Sequence, residues 1–192
     1  MTPLTPIESR LVHRGRVFEL YRDRATASSG SIVELDVIRH PGAAAVVAID
    51  ERGDLLLLRQ YRYALNRYIW EIPAGTLEPG ESPISCARRE LAEEAGVSAA
   101  RWSTLGAITP LPGYSDEIVH LFLARELTGV SQRLDPDEFL EIHPVSWQTA
   151  MNWLAKGEIE DAKTIAGLCK AAFYNTTPGD ERSILSAPTS SG

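Results

Sequence analysis

Apolar and polar positions alternate, or run together, in short stretches along most of this chain, and three stretches repeat at helical spacing. The runs GRVFELYRDRAT (15–26) and SIVELDVIRH (31–40) carry β-branched and aromatic residues on either side of Ser28-Ser29-Gly30, which predicts two strands. After the Pro41-Gly42 punctuation, AAAVVAID (43–50) and DLLLLRQYRY (54–63) read as apolar strands joined across Asp50-Glu51-Arg52-Gly53, the spacing of a hairpin turn. YIWEIP (68–73) predicts a short strand, and further strands are expected near RWSTLGAIT, EIVHLFLARE and FLEIHPVSW. Helices are expected over 147–156 and 161–174. In the second, Ile165, Leu168, Cys169, Ala172 and Phe173 form the predicted core-facing stripe.

The third helical stretch runs from Ser82 to Ala95, with Ser82 as cap, Pro83 in the first turn and Gly96 as the stop. On a helical wheel Ile84, Ala87, Leu91 and Ala95 share one arc and should face the core, while Glu90, Glu93 and Glu94 share a neighbouring arc. Like charges at i,i+3 and i,i+4 repel by a few tenths of a kcal/mol per pair. The C-terminal half of a helix also disfavours anions. Arg88 and Arg89 offset part of this. A solvated acidic face is the ordinary reading of such a cluster. The alternative is a hard divalent cation such as Mg²⁺, which takes oxygen ligands and shares its waters with phosphates. Mixed strands with a few helices imply an α/β or α+β layered domain.

Composition narrows the choice. The 192 residues suit one domain with a small extension, and 44% hydrophobic with 23% charged residues is ordinary for a globular chain. Nineteen Lys and Arg against 26 Asp and Glu give a net charge of −7, which argues against nucleic-acid binding but permits an anionic substrate carried by a metal. Cys86 and Cys169 lie far apart without a CxxC, so spectator thiols are expected and a zinc site is not. His13, His40, His120 and His143 lack metal-ligand spacing, and Trp70, Trp102, Trp147 and Trp153 read as packing residues. The first residues show no apolar signal core, and no apolar run spans a bilayer, so a cytoplasmic protein without membrane partners is expected. The tail from Asn175 is rich in Pro, Gly, Ser and Thr and is expected to fray; the sequon at Asn175 is read as chance.

The helix belongs to a longer pattern: Gly75, five residues, Glu81, seven residues, Arg89-Glu90, Leu91, one residue, Glu93-Glu94, one residue, Gly96, Val97. Seven specified residues and two aliphatic positions all fit, and at ordinary usage a chance match at a given start is rarer than roughly one in a hundred million. On these 23 residues the chain resembles the Nudix hydrolases. The resemblance implies a loop–helix–loop on an α/β/α sandwich, with Mg²⁺, or alternatively Mn²⁺, held against a pyrophosphate. It implies Glu90 and Glu94 as leading metal ligands, Glu93 beside them and the Ala74 carbonyl as a further ligand; Arg89 and Glu81 take supporting roles. Divalent ions neutralise a phosphoanhydride, polarise phosphorus and lower the pKa of water, and a carboxylate can then take the proton.

The flanks resemble the ADP-ribose pyrophosphatase branch, over roughly residues 10–174. Pro112 follows Gly96 by 16 residues, at the place of that branch's marker proline, and the loop GYSDE brings Asp116 and Glu117 just before a strand. The resemblance implies Glu117 as general base. It implies Arg62 as the phosphate-binding arginine, with Arg59 as a second candidate. Glu71 would touch metal-bound or ribose groups, or else be a strand-end carboxylate. Arg39 and Glu34 correspond to residues that bind the adenosine end. Adenine needs an aromatic or apolar sandwich, yet positions 1–40 hold no Trp, which leaves Phe18 as the candidate, a position more often in a core. Relatives in this branch form homodimers by exchanging N-terminal strands. The implied organisation is a dimer-forming β-strand extension over 1–40, a Nudix domain over 41–174 and a tail over 175–192.

The reaction so implied is Mg²⁺-dependent hydrolysis of ADP-ribose to AMP and ribose 5-phosphate. Another nucleoside diphosphate sugar, such as GDP-mannose, would undergo the same phosphate chemistry. A non-catalytic ADP-ribose sensor would need a degraded motif and an attached DNA-binding region; here the motif is intact and the residues after 174 are too few for a helix-turn-helix domain.

Overall fold

A computed structural model describes residues 3–134 and 139–174. The tail, with Asn175, therefore lies outside the described residues. The chain divides into two compact units, one formed by the residues through Gly42 together with Thr109–Ile118, the other by Ala43–Ile108 and the residues from Val119 onward.

The first unit is an antiparallel three-stranded meander of β1 (Leu4–Arg14), β2 (Glu19–Ala27) and β3 (Ile32–Arg39), in that order. β1 lies N-terminal to the two runs marked by the sequence pattern, and nearly all of it is exposed. Register sets charged residues on one face and apolar ones on the other. Arg22 stands between Arg10 and Asp36, and Arg24 between Glu8 and Glu34, so one face is lined by charged residues, with ion pairs from Arg22 to Asp36 and from Arg24 to Glu8 and Glu34. Leu11, Tyr21 and Val37 are in register on the other face. The 109–118 segment joins the edge of β3 through a parallel bridge between Ile38 and Ser115.

The second unit contains the layers expected from the strand and helix pattern. β4 (Ala43–Ala48) is central in a sheet of order β7-β4-β9-β8, with β7 (Ala74–Thr76), β9 (Val119–Gly129) and β8 (Val97–Ile108). β4 and β9 run parallel; the other pairs are antiparallel. β5 (Asp54–Arg62), β6 (Arg67–Glu71) and β10 (Leu140–Ser146) form a second, antiparallel sheet. The expected β4–β5 hairpin is therefore a turn between sheets: Gly53, at φ +83°, returns its N–H to Asp50, and after the single Ile49–Leu55 bridge the strands diverge.

All six residues of β4 are buried because both faces are covered. Ala44, Val46 and Ala48 pack against Cys86, Ala87, Leu91 and Ala95 of α1 (Pro83–Ala95), while Ala43, Ala45 and Val47 belong to the opposite layer with α3 (Ala162–Tyr174) and Leu57. α2 (Trp147–Lys156) adds Trp153, stacked on Trp70 with centroids 4.8 Å apart. α1 begins and ends as its sequence dictates. Ser82 accepts the Ser85 N–H, and Gly96 at φ +61° closes on Ala92.

The stripe expected on α3 is rotated. Thr164, Gly167, Leu168 and Ala171 face the core, Ile165, Cys169 and Ala172 are half-buried, and Phe173 is 73% exposed. The reason is clearance. A Cβ at Gly167 would sit 2.9 Å from Ile72 and 3.1 Å from Val47, so the helix approaches the sheet on its smallest side chains. Gly167→Val is expected to lower stability by about 2 kcal/mol, because overpacking a filled core outweighs the roughly 1 kcal/mol cost of helical glycine. A urea unfolding midpoint equal to that of the parent would contradict this packing.

Candidate active site on the α1 helix

The acidic arc of α1 is not a solvated face. Glu90 and Glu94 are buried at 8% and 1% exposure, whereas Glu93 is partly exposed. Their burial follows from β7, which lies beside the helix. The backbone N–H of Ala74 donates to Glu94 Oε2 at 2.7 Å. A Cβ on Gly75 would fall within 1.8 Å of Glu90 Oε1, so only glycine admits that carboxylate. Ala74 and Gly75 thus stand against the two inner glutamates.

Arg89 is the local counter-charge. Its guanidinium donates twice to Glu81 at 3.0 Å, to Glu90 at 2.6 Å and to Glu93 at 3.1 Å, and it also reaches the Thr76 carbonyl. Arg89 in turn holds the Glu81 carboxyl below the usual carboxylate range. Arg89 and Glu81 are thus paired with each other, Arg89 bridging Glu81 to Glu90 and Glu93. Arg62 also acts electrostatically on Glu94, and the carboxylates Glu81, Glu90, Glu93 and Glu94 with the Ala74 carbonyl offer oxygen donors only. That donor chemistry fits a hard divalent cation such as Mg²⁺. Among the described residues no three His, Cys, Asp or Glu side chains already converge as a metal cluster.

The C-terminal carbonyls of α1, unfavourable neighbours for glutamates, are covered by a segment that sequence reasoning missed. Gln132 Nε2 donates to the Glu94 carbonyl at 2.6 Å, and the Arg133 N–H donates to that of Glu93 at 3.1 Å. Nothing in the local sequence pattern points 130–133 back to α1.

A second buried group lies at the end of β6. Glu71, 1% exposed, is held by Arg62 through paired bonds of 2.5 and 2.6 Å and by Lys163 on α3. Burial alone would raise the Glu71 carboxyl, yet Arg62 and Lys163 hold it below the ordinary glutamate range. Lys163 was not marked by the sequence pattern. Asp161 caps α3 through Thr164, whose hydroxyl accepts the Ile72 N–H at 2.9 Å. The cap is readable from Asp161 three residues before Thr164, but the partnership of Lys163 with Glu71 is tertiary.

The remaining candidates are placed as follows. Arg59 is exposed, with its guanidinium 5.4 Å from the Tyr68 ring centroid. In the first unit, Glu34 is exposed and 3.8 Å from Arg24. Arg39 bonds Asp23 at 2.8 Å and Asp116 at 3.3 Å. Phe18 is 41% exposed rather than in a core; it lines a depression of about 490 Å³ together with Arg14, Arg16, Arg39 and His40. Glu117 lies in the same unit, its carboxylate 3.8 Å from His40 Nδ1.

Residues 39–168 match the model of the NUDIX domain, and the chain belongs to that family. It is 39% identical over 160 residues to the ADP-ribose pyrophosphatase of Bacillus subtilis, spanning 82% of this chain and 86% of that one. It is 37% identical over 178 residues to the ADP-ribose pyrophosphatase of Mycobacterium tuberculosis (90% and 84%), and 36% identical over 161 residues to the methanol dehydrogenase activator of Bacillus methanolicus (83% and 87%). A crystal structure of an ADP compounds hydrolase superposes with a TM-score of 0.80 at 23% identity, covering 91% of this chain and 95% of that one, which establishes the shared fold. Among the described residues no helix is long and apolar enough to cross a membrane.

Removing one member of a buried ion pair costs roughly 3–5 kcal/mol. Arg62 is 40% exposed and rehydrates, so Glu71→Ala is expected to cost about 2 kcal/mol. Because the folded value of Glu71 is lowered, its stabilisation is complete above the ordinary glutamate value and is lost as the pH falls through the folded one. Urea midpoints from pH 7 down to about pH 3 should therefore fall more steeply for the parent than for Glu71→Gln. Parallel curves would contradict the assignment.

Proposed function

We propose that this protein hydrolyses the pyrophosphate bond of ADP-ribose, giving AMP and ribose 5-phosphate, with a divalent cation, Mg²⁺ in the first place and Mn²⁺ as its substitute. The observation that carries the reading is the buried Glu90–Glu94 pair facing Ala74 and Gly75, within an intact family motif. The relatives named ADP-ribose pyrophosphatase support the choice of substrate among nucleoside diphosphate sugars.

In this reading Glu90, Glu94, Glu93 and the Ala74 carbonyl would hold the cation. When bound, it neutralises the two phosphates and acidifies water. Glu117 takes the proton of the attacking water as general base, and Glu93 is the second catalytic carboxylate. Arg62 clamps phosphate oxygens, for which a guanidinium is suited by its planar fork, with Arg59 as a second contact. Its pairing with buried Glu71 would fix the direction of that fork, and Glu71 would otherwise meet metal-bound or ribose groups. Arg39, Glu34 and Phe18 serve the adenosine end; the depression beside Phe18 and its arginines supports that placement. The strand extension over 1–40 joins two copies by exchange of N-terminal strands, the Nudix domain occupies 41–174, and the enzyme works in the cytoplasm without membrane or nucleic-acid partners. The apolar Leu11–Tyr21–Val37 face supports a partner of that kind.

The test is turnover with Mg²⁺ on ADP-ribose, other ADP-sugars, GDP-mannose, NADH and diadenosine polyphosphates, with products resolved by chromatography. Selective release of AMP from ADP-ribose is expected. Equal rates on all sugars would remove the substrate assignment, and no turnover on any would remove the reaction.

Two variants examine the residues. Glu94→Gln is expected to abolish turnover and weaken Mg²⁺ or Mn²⁺ binding in calorimetry; unchanged metal binding would sink the ligand assignment. Glu117→Gln is expected to lower kcat by roughly 10²–10⁴-fold with little change in KM. A change in KM alone would make Glu117 a binding residue.

A further inference from the structure

Glu117 sits in a loop, and proton transfer demands placement that loops do not supply by themselves. The 109–118 segment is tied to β3 by backbone bonds at one place: the Ile38 N–H donates to the Tyr114 carbonyl at 2.8 Å, and the Asp116 N–H donates to the Ile38 carbonyl at 3.1 Å. Beyond that point the tie continues through one side chain. Asp116 Oδ1 accepts the backbone N–H of His40 at 2.8 Å, and Oδ2 accepts Arg39 Nη1 at 3.3 Å. Arg39 is itself anchored to Asp23 on β2. Asp116 therefore clips the residue preceding Glu117 to the chain just past the end of β3.

The neighbouring histidine ring is engaged elsewhere through its Nδ1. His40 Nδ1 accepts the Gly42 N–H at 3.0 Å, so in the neutral ring that nitrogen carries no proton to donate to Glu117, 3.8 Å away. Exposed ion pairs contribute little, and both Asp116 and Arg39 are over two-fifths exposed. The bond to the His40 backbone is thus the fixing contact, and an oxygen acceptor at position 116 is what it requires.

We propose that Asp116 is a positioning residue that holds the Glu117 loop to the end of β3; its catalytic consequence rests on Glu117 being the general base. The experiment is a double-mutant cycle in the full-length chain with Mg²⁺ and ADP-ribose, joined to amide hydrogen exchange. Asp116→Ala is expected to lower kcat roughly 10- to 100-fold with KM within about threefold, the scale of a catalytic group displaced by an ångström. Asp116→Asn, which keeps an oxygen acceptor, should stay within about threefold of the parent in kcat. In a Glu117→Gln background Asp116→Ala should cost nothing further, since no base remains to be placed. Exchange at the His40 and Asp116 amides should accelerate at least tenfold in Asp116→Ala, while the Leu91 amide on α1 keeps its protection. Equal losses from Asp116→Ala in both backgrounds, or unchanged exchange at His40, would overturn the positioning role. Full activity in Glu117→Gln would overturn the base assignment, and the exchange measurement would still decide whether Asp116 holds the loop.

Discussion

The close approach of α1 to the backbone of β7 governs the layer that carries the family motif. Glu90 can lie against this strand only because Gly75 has no Cβ, and Glu94 is held there by the Ala74 N–H. Burying two like charges on one helix is costly unless each is bonded and a counter-charge is near. Arg89 supplies the counter-charge by spanning Glu81, Glu90 and Glu93. The helix caps, the alanines of β4 and the 130–133 segment over the helix end all serve to keep this approach in register. The motif is thus a packing solution as much as a set of proposed ligands.

Much of this was legible in the sequence because the determinants are local. Ser82, Pro83 and Gly96 set the bounds of α1, and the spacing of Glu81, Arg89 and the glutamates carries the family resemblance. The apolar runs located β4, β5 and β9 because buried strands show themselves by continuous hydrophobicity. What the sequence did not disclose depends on partners far along the chain. The face of α3 turned on the clearance between Gly167 and Ile72, and a wheel that counts only large side chains points the wrong way. Glu71 was visible as a strand-end carboxylate, but its capture by Lys163 joins residues separated by 92 positions. The Asp50–Gly53 turn was recognised, while the divergence of its strands into two sheets was not, because a turn type does not encode sheet membership.

The two units use opposite means to stabilise strands. In the first, the backbone ladder holds strands whose charged face, with pairs such as Arg22–Asp36, is little buried, and the tie to residues 109–118 is made by a short bridge and one aspartate. In the second, register follows from apolar burial on both faces of the central sheet. Salt should therefore loosen the first far more than the second, since exposed pairs are screened and dispersion is not.

The complete burial of β4 has a consequence for how mutational tolerance is interpreted. Six consecutive residues, four of them alanine, face either α1 or the α3 layer, so the strand has no idle position. A library randomised over 43–48 would tolerate few polar or bulky replacements anywhere along it, although none of these side chains is a proposed participant in the chemistry. Intolerance to change is strongest here for reasons of thickness alone. A ranking of positions by sensitivity would place this strand beside Glu90 and Glu94, and only a measurement that separates folding from turnover would tell the two kinds of indispensability apart.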